Sequence, residues 1–262
     1  MKLECRHISK IFGEGVKATR VLDNISFETG EGEFLCILGP SGCGKSTLLR
    51  IIAGLLEPTG GEVIYSGNNT GKPRNSMVFQ EHGVFPWMNV IDNVAFGLEM
   101  RGFSRNECYE RSLDFLKRVG LAGYAKRNPH ELSVGMRQRI AIARAFVNDP
   151  EILLMDEPFG SLDAQTRLIL QAELLKIWND HKKTVIFVTH DIDEAIILGD
   201  RVLVMTSTPG KIREVITVGI DRPRDLQIES TQKFLEMRMK IWNIIRSEVE
   251  QSMTEDHYAA EY

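Results

Sequence analysis

The stretch GPSGCGKST, Gly39 to Thr47, fits the pattern G-x-x-x-x-G-K-[ST] between an apolar run and a helical pattern. Gly39, Gly42 and Gly44 let the backbone bend, so that successive N–H groups face one anion. Pro40, Ser41 and Cys43 complete that cradle. The following helix adds the positive end of its dipole. Lys45 supplies a point charge for β and γ phosphates. Ser46 is a Mg²⁺ ligand by type, and Thr47 is placed to hydrogen-bond a further phosphate oxygen. A second stretch, EILLMDEP at 151–158, is an apolar strand ending in acids. It places Asp156 at the carboxyl edge of a sheet, where open α/β sheets bind ligands. Alone, such a run reads better as a strand-end turn; after a phosphate loop, Asp156 suits a Mg²⁺ contact, through water, and Glu157 the general base that orients an attacking water. A third stretch, HELSVGMRQRIAIARAF at 130–146, starts a helix at Ser133 and Gly135. Its free N–H groups and the Ser133 hydroxyl can hold an anion. On its own, this stretch reads better as a capped amphipathic helix with Arg137, Arg139 and Arg144 on a solvated face.

The elements that position these residues follow from periodicity. Short apolar runs at 33–38, 62–66, 77–80, 151–156, 184–190 and 201–205 suit strands buried on both faces of a parallel sheet. Helical patterns cover about 45–54, 91–101, 104–119, 135–147, 164–181 and 191–199. Residues 81 to about 147 form a mostly helical subdomain set into an α/β core. Pro223 to Asp225 break the chain before a last helix over about 228–249, and the polar residues 251–262 are expected to fray. The expected domains are therefore 1–227 and a C-terminal helix with tail, 228–262.

Composition narrows the function. The chain has 262 residues, 43% hydrophobic and 26% charged, which excludes collagen, a coiled-coil rod and disorder. With 32 basic and 36 acidic residues, the formal charge of −4 offers no broad attraction to nucleic acid. No apolar run reaches membrane-spanning length and the amino terminus has no signal-peptide core, so a cytoplasmic chain is expected unless another subunit holds it at a membrane. Cys5, Cys36, Cys43 and Cys108 form no C-x-x-C pair and read as reduced thiols rather than a zinc site.

Taken in order, these segments resemble the nucleotide-binding subunit of ABC transporters over nearly the whole chain. GPSGCGKST matches the Walker A motif, ILLMDEP matches Walker B with its catalytic glutamate, and LSVGM at 132–136 matches the signature. Phe12 matches the aromatic that stacks on adenine, Gln80 the Q-loop glutamine, SLD with Asp163 the D-loop, and His190 the switch histidine. Each single residue also has a plain reading. Phe12 and His190 could be core side chains, Gln80 a solvated strand end, and Asp163 a helix cap. Val134 departs from the family, which usually has Gly there. Val resists a positive φ, so the loop is strained if it needs that conformation at 134, and merely stiffened if it does not.

The resemblance implies a P-loop ABC-type ATPase core with an antiparallel β subdomain and an inserted helical subdomain. It implies ATP with Mg²⁺, contacted in cis by Lys45, Ser46, Gln80, Asp156, Glu157 and His190. It implies a head-to-tail homodimer in which Ser133 and Gly135 reach the partner's γ-phosphate. It also implies a peripheral place on the cytoplasmic face of the membrane, with permease subunits and, through them, a solute-binding protein as partners. The segment from Val78 to Gly102 and the late segment TSTPGKIREVITVGIDRPRD resemble ATPases of the nitrate, sulfonate, taurine and bicarbonate importers. In the family, the region after Gln80 receives a short permease helix, so Phe85 and Trp87 are expected at that interface, while Phe96 reads evenly as part of it or as packing of the subdomain's own core. The competing readings are an importer ATPase for amino acids or metals, and a soluble ABC ATPase such as a cluster-assembly factor.

Overall fold

A computed structural model describes all residues except 68–70, 81–82, 225 and 260–262. In chain order the elements are β1 (Lys2–Phe12), β2 (Thr19–Thr29), β3 (Phe34–Leu38), α1 (Lys45–Ile52), β4 (Gly60–Ser66), β5 (Asn75–Val78), α2 (Val90–Met100), α3 (Arg105–Arg118), α4 (Val134–Val147), β6 (Ile152–Asp156), α5 (Ala164–His181), β7 (Thr184–Thr189), α6 (Ile192–Leu198), β8 (Arg201–Met205), β9 (Ile212–Thr217) and α7 (Gln232–Ala259). The chain divides into two compact units, residues 1–67 with 186–262, and residues 68–185.

In the first unit, β2, β1 and β4 form an antiparallel sheet in that order. Beside it, β3 runs parallel to β8, with Leu35 opposite Arg201 and Leu38 opposite Val204, and β9 pairs antiparallel to β8. All five residues of β3 are buried, as expected of a strand covered on both faces. The segment of the DRPRD turn serves as a helix terminator. Arg224 is buried and donates to the carbonyls of Ile196, Gly199 and Ile220, and Arg222 pairs with Asp200 at 2.8 Å. Those carbonyls at the end of α6 would otherwise lack donors for their lone pairs. Burial brings the Arg224 pKa down to about 10. Asp225, the last residue of the expected break, lies outside the described residues.

In the second unit, β5 runs parallel to β6, with Asn75 opposite Ile152 and Val78 opposite Met155. Helices α2, α3 and α4 pack on one another around Val94, Leu98, Leu116 and Ile140, all fully buried. Each helix starts on a side-chain cap. Asn89 accepts from the Asp92 N–H, Ser104 from Glu107 and Ser133 from Met136.

Three strands were not among those expected from periodicity. β1 and β2 build the antiparallel sheet, and β9 follows β8. Strand β5 ends at Val78, two residues before Gln80, so Gln80 is on a loop and does not end a strand. The last helix starts later and runs further than expected, from Gln232 to Ala259. Residues 244–259 contain no Gly or Pro, and an Arg246–Glu250 pair at 2.7 Å supports an added turn, so helix continues where fraying was expected. Among the described residues, no helix is long and apolar enough to cross a membrane. All four cysteines are buried thiols.

Candidate nucleotide site

The phosphate-type loop joins the buried strand β3 to α1. Gly42 and Gly44 have φ of 81° and 96°. Gly44 is the N-cap of α1, and only glycine enters that left-handed region without strain. A side chain there would also collide with Leu22, whose Cδ2 lies 2.7 Å from a built Cβ. Lys45 is buried, and its ammonium donates to the carbonyls of Gly39 and Pro40, both at 2.8 Å. Ser46 and Thr47 follow on the first turn, half-buried, while Ser41 is exposed and Cys43 is buried. The same unit holds Phe12 at the end of β1, 42% exposed, with the Lys10 ammonium 5.1 Å from its ring centroid. The ring is not a core side chain. His190 is exposed just after β7. The Thr189 hydroxyl before it contacts buried Glu194 and accepts from the Asp191 N–H, which fixes the turn that carries the imidazole.

The second unit holds the acids. Asp156 is buried at the end of β6. Glu157 comes next with φ of 41°, an unusual conformation for a non-glycine residue and one that concentrates at functional sites. Its carboxylate accepts a 3.2 Å hydrogen bond from the Gln80 amide. Gln80 is thus not merely solvated. The structure joins two residues 77 positions apart that the motifs named separately.

The signature begins α4. Ser133 is its N-cap, with Val134 and Gly135 as the first two helical residues. Val134 is not among the residues with positive φ, so the loop does not require that conformation there. Gly135 is buried, and a Cβ on it would lie 3.0 Å from Thr166 Cγ2 on α5. Asp163 caps α5 by accepting from the Thr166 N–H at 2.9 Å, and that bond holds its carboxyl below the usual range. The three arginines of α4 do not form a solvated face. Arg137 donates to the Leu132 carbonyl at 2.5 Å, Arg139 to Val119 at 3.3 Å, and Arg144 to Gly83. Each is half-buried, because its neighbouring loop needs the donor.

An aromatic cluster follows the Gln80 loop. Phe85 stacks on Trp87 at 5.4 Å, meets Phe96 edge-on at 4.9 Å, and carries the Arg144 guanidinium 4.7 Å from its ring. Trp87 is 74% exposed. A groove of about 390 Å³ is lined by Met77, Phe85, Phe96, Met100 and Arg144, among others. Phe96 is therefore half-buried at the groove and not in the subdomain core. Asn93, which the motifs did not single out, pins this loop. It is fully buried, accepts from the Phe85 N–H at 2.7 Å and donates to the carbonyls of Phe85, Met88 and Asn89. Its signal was a polar residue on the apolar face of α2. Residues 81 and 82 lie outside the described residues.

Among the described residues, no three His, Cys, Asp or Glu side chains gather as a metal cluster. The Ser46 hydroxyl and the Asp156 carboxylate are hard oxygen donors of the kind Mg²⁺ takes, in sites built from one or two carboxylates plus substrate phosphates and water.

Comparison with known proteins finds relatives along nearly the whole chain. The ABC transporter family model matches residues 22–160. An ABC transporter ATP-binding protein of Methanocaldococcus jannaschii is 51% identical over 97% of this chain and 94% of its own. The aliphatic sulfonates import ATP-binding protein SsuB of Bacillus cereus is 45% identical over 92% of this chain and 94% of its own. A dimeric post-hydrolysis structure of the ATP-binding cassette MJ0796, bound to ADP and Pi, superposes with TM-score 0.73 at 32% identity, covering 84% of this chain and all of that one. A family match over more than half the chain, with a relative half-identical along nearly its whole length, makes this chain a member of the ABC transporter family, as an ATP-binding subunit.

Proposed function

We propose that this subunit hydrolyses ATP to power an importer of a small solute of the nitrate, sulfonate, taurine or bicarbonate group. The observation that carries the reading is the hydrogen bond from Gln80 to Glu157. It ties the hydrolytic carboxylate to the loop that leads into the exposed Phe85–Trp87 cluster, so that a change at one end is felt at the other. In this reading Phe12 stacks on adenine, and the Gly39 to Thr47 loop with Lys45 holds the phosphates. Asp156, Ser46 and Gln80 hold Mg²⁺, which when bound neutralises charge that develops on the phosphates. Glu157 orients the attacking water and takes its proton. His190 contacts the γ-phosphate. Ser133, Gly135 and Asp163 act across a head-to-tail homodimer; the dimeric state of the solved cassette supports a dimer. The groove beside Trp87 receives a short helix of a permease, in the helix-in-groove mode. The chain is then peripheral, on the cytoplasmic face of the membrane. The sulfonate-importing relative supports the solute class.

The test is Glu157→Gln, which keeps the shape of the side chain and removes the base. ATP binding should persist while turnover falls about 10²–10⁴-fold. The variant should accumulate as an ATP-bound dimer by light scattering. Turnover within about threefold of wild type would remove Glu157 from the mechanism. In cells carrying the cognate permease, the same variant should abolish uptake of an aliphatic sulfonate.

A further inference from the structure

The segment TSTPGKI at 206–212 has no role in the chemistry above, yet its contacts converge on the phosphate loop. Thr208 Oγ1 donates to the carbonyl of Gly42 at 3.1 Å. Gly210 lies against the loop so closely that a Cβ would sit 2.2 Å from the Cys43 carbonyl oxygen. On its other side, Gly210 is bonded to β2. Its N–H donates to Val21 at 2.9 Å, and its carbonyl accepts from the Asp23 N–H at 3.0 Å. The turn itself is internally braced. Thr206 Oγ1 accepts from the Lys211 N–H at 2.9 Å and contacts the Ser207 and Pro209 carbonyls. The Lys211 ammonium reaches Asp23 at 3.0 Å, which locks the turn to β2 a second time. From β2, the register runs directly to β1, where Phe12 pairs with Thr19. One short turn therefore spans the sheet that ends in Phe12 and the loop that ends in Lys45.

We propose that the 206–210 turn is a strut that fixes the phosphate loop relative to the Phe12 sheet, with Thr208 as a positioning residue for ATP binding. The Gly42 carbonyl is the part of the loop that must point away from the phosphates if the neighbouring N–H groups are to point toward them. A hydroxyl that donates to it from outside holds the peptide in that orientation. The strut's contacts run to the phosphate loop and to β2, so it acts on binding and leaves the chemical step alone. The proposal rests on the reading of residues 39–47 as the ATP phosphate loop.

The experiment measures equilibrium binding of Mg-ATP and steady-state hydrolysis on the purified full-length subunit. Thr208→Val keeps the shape and removes the donor. One neutral hydrogen bond predicts a rise of about two- to tenfold in Kd and KM. The kcat at saturating ATP should stay within twofold of wild type, and Thr208→Ser should bind as wild type does. Gly210→Ala drives a methyl into the Cys43 carbonyl and should weaken binding more than tenfold or lower the melting temperature. Wild-type affinity in Thr208→Val overturns the proposal. So does an equal loss in Thr208→Ser, or a loss confined to kcat. Lys45→Ala separates the two readings. If it loses ATP while Thr208→Val does not, the strut alone fails. If Lys45→Ala binds as wild type, the phosphate-loop reading fails with it.

Discussion

Trp87→Ala separates folding from coupling. The indole is 74% exposed, and among the described residues its ring contact is the stack on Phe85 at 5.4 Å. An aromatic pair of this kind is worth about 0.5–1.5 kcal/mol beyond burial. At about 2–4 °C per kcal/mol for a chain of this size, the isolated subunit should melt about 1–6 °C lower. Its soluble ATPase should stay near normal, because Trp87 touches none of Gln80, Glu157 or the phosphate loop in the contacts described. In the proposed permease complex the same ring would be a buried aromatic anchor beside the groove. Such anchors cost about 2–4 kcal/mol when truncated, or about 30- to 1,000-fold in affinity. The assay pairs thermal melting of the subunit with co-purification of the permease from detergent. Phe85→Ala is the contrasting variant. Phe85 is held between Phe96 at 4.9 Å and the Arg144 guanidinium at 4.7 Å, so its loss should lower both stability and capture. A Trp87→Ala subunit that melts far below this range, or that still captures the permease at wild-type yield, would refute the groove reading at this position.

Val134→Gly should change ATPase by less than tenfold, about 1.4 kcal/mol, because Val134 starts α4 with an ordinary negative φ; a large gain would show that Val134 weakens the signature. Ser133→Asp should leave the melting temperature of the monomer unchanged or slightly raised, since Asp caps a helix as well as Ser and favours its dipole by about 0.3–1 kcal/mol. The same carboxylate should repel a partner's phosphate and prevent ATP-driven dimerisation of Glu157→Gln, as read by light scattering; an intact dimer would show that no phosphate is bound at this loop.

Much of the site was legible because its parts are local. A loop of nine residues, a strand ending in Asp-Glu and a capped helix each carry their chemistry in consecutive positions. The parallel strands were legible for a similar reason, since runs such as FLCIL and ILLMD are apolar without interruption. β1 was not, because KLECRHISKIF buries one face only and then breaks its own alternation. His7 takes φ of 51°, and the pairing with β2 shifts between Cys5 and Ile8. A bulge of that kind moves side chains to the other face and erases the period of two. The positive φ of Glu157, its bond to Gln80 and the reach of Thr208 to Gly42 left no trace in local spacing. The two bonds join distant positions, the φ belongs to one residue, and each is set by how the elements pack. The aromatic residues after Gln80 were visible as a group, but Asn93, which holds their loop, is one polar residue in an apolar helix. Only its bonds reveal its purpose.

The two helices that start near the signature show why capping and anion binding are one property. Gly135 at the start of α4 lies against Thr166 in the first turn of α5, so two positive helix ends are neighbours. Helix α5 brings its own counter-charge in Asp163, whose bond from the Thr166 N–H keeps it ionised. Helix α4 does not. Its cap is the neutral hydroxyl of Ser133, and its first turn holds no acid. The Ser133 hydroxyl takes the Met136 N–H, and the Ser133 carbonyl takes that of Arg137. The N–H groups of Val134 and Gly135 have no acceptor within the helix. An acid at the cap would stabilise the isolated subunit, so Ser133 is not the choice that monomer stability alone favours. In the proposed dimer, the γ-phosphate held by the partner supplies the missing charge. The closed state is then favoured only while that phosphate is present, and its removal by hydrolysis returns α4 to an uncompensated helix end. The same neutrality that leaves the monomer slightly less stable makes closure conditional on ATP.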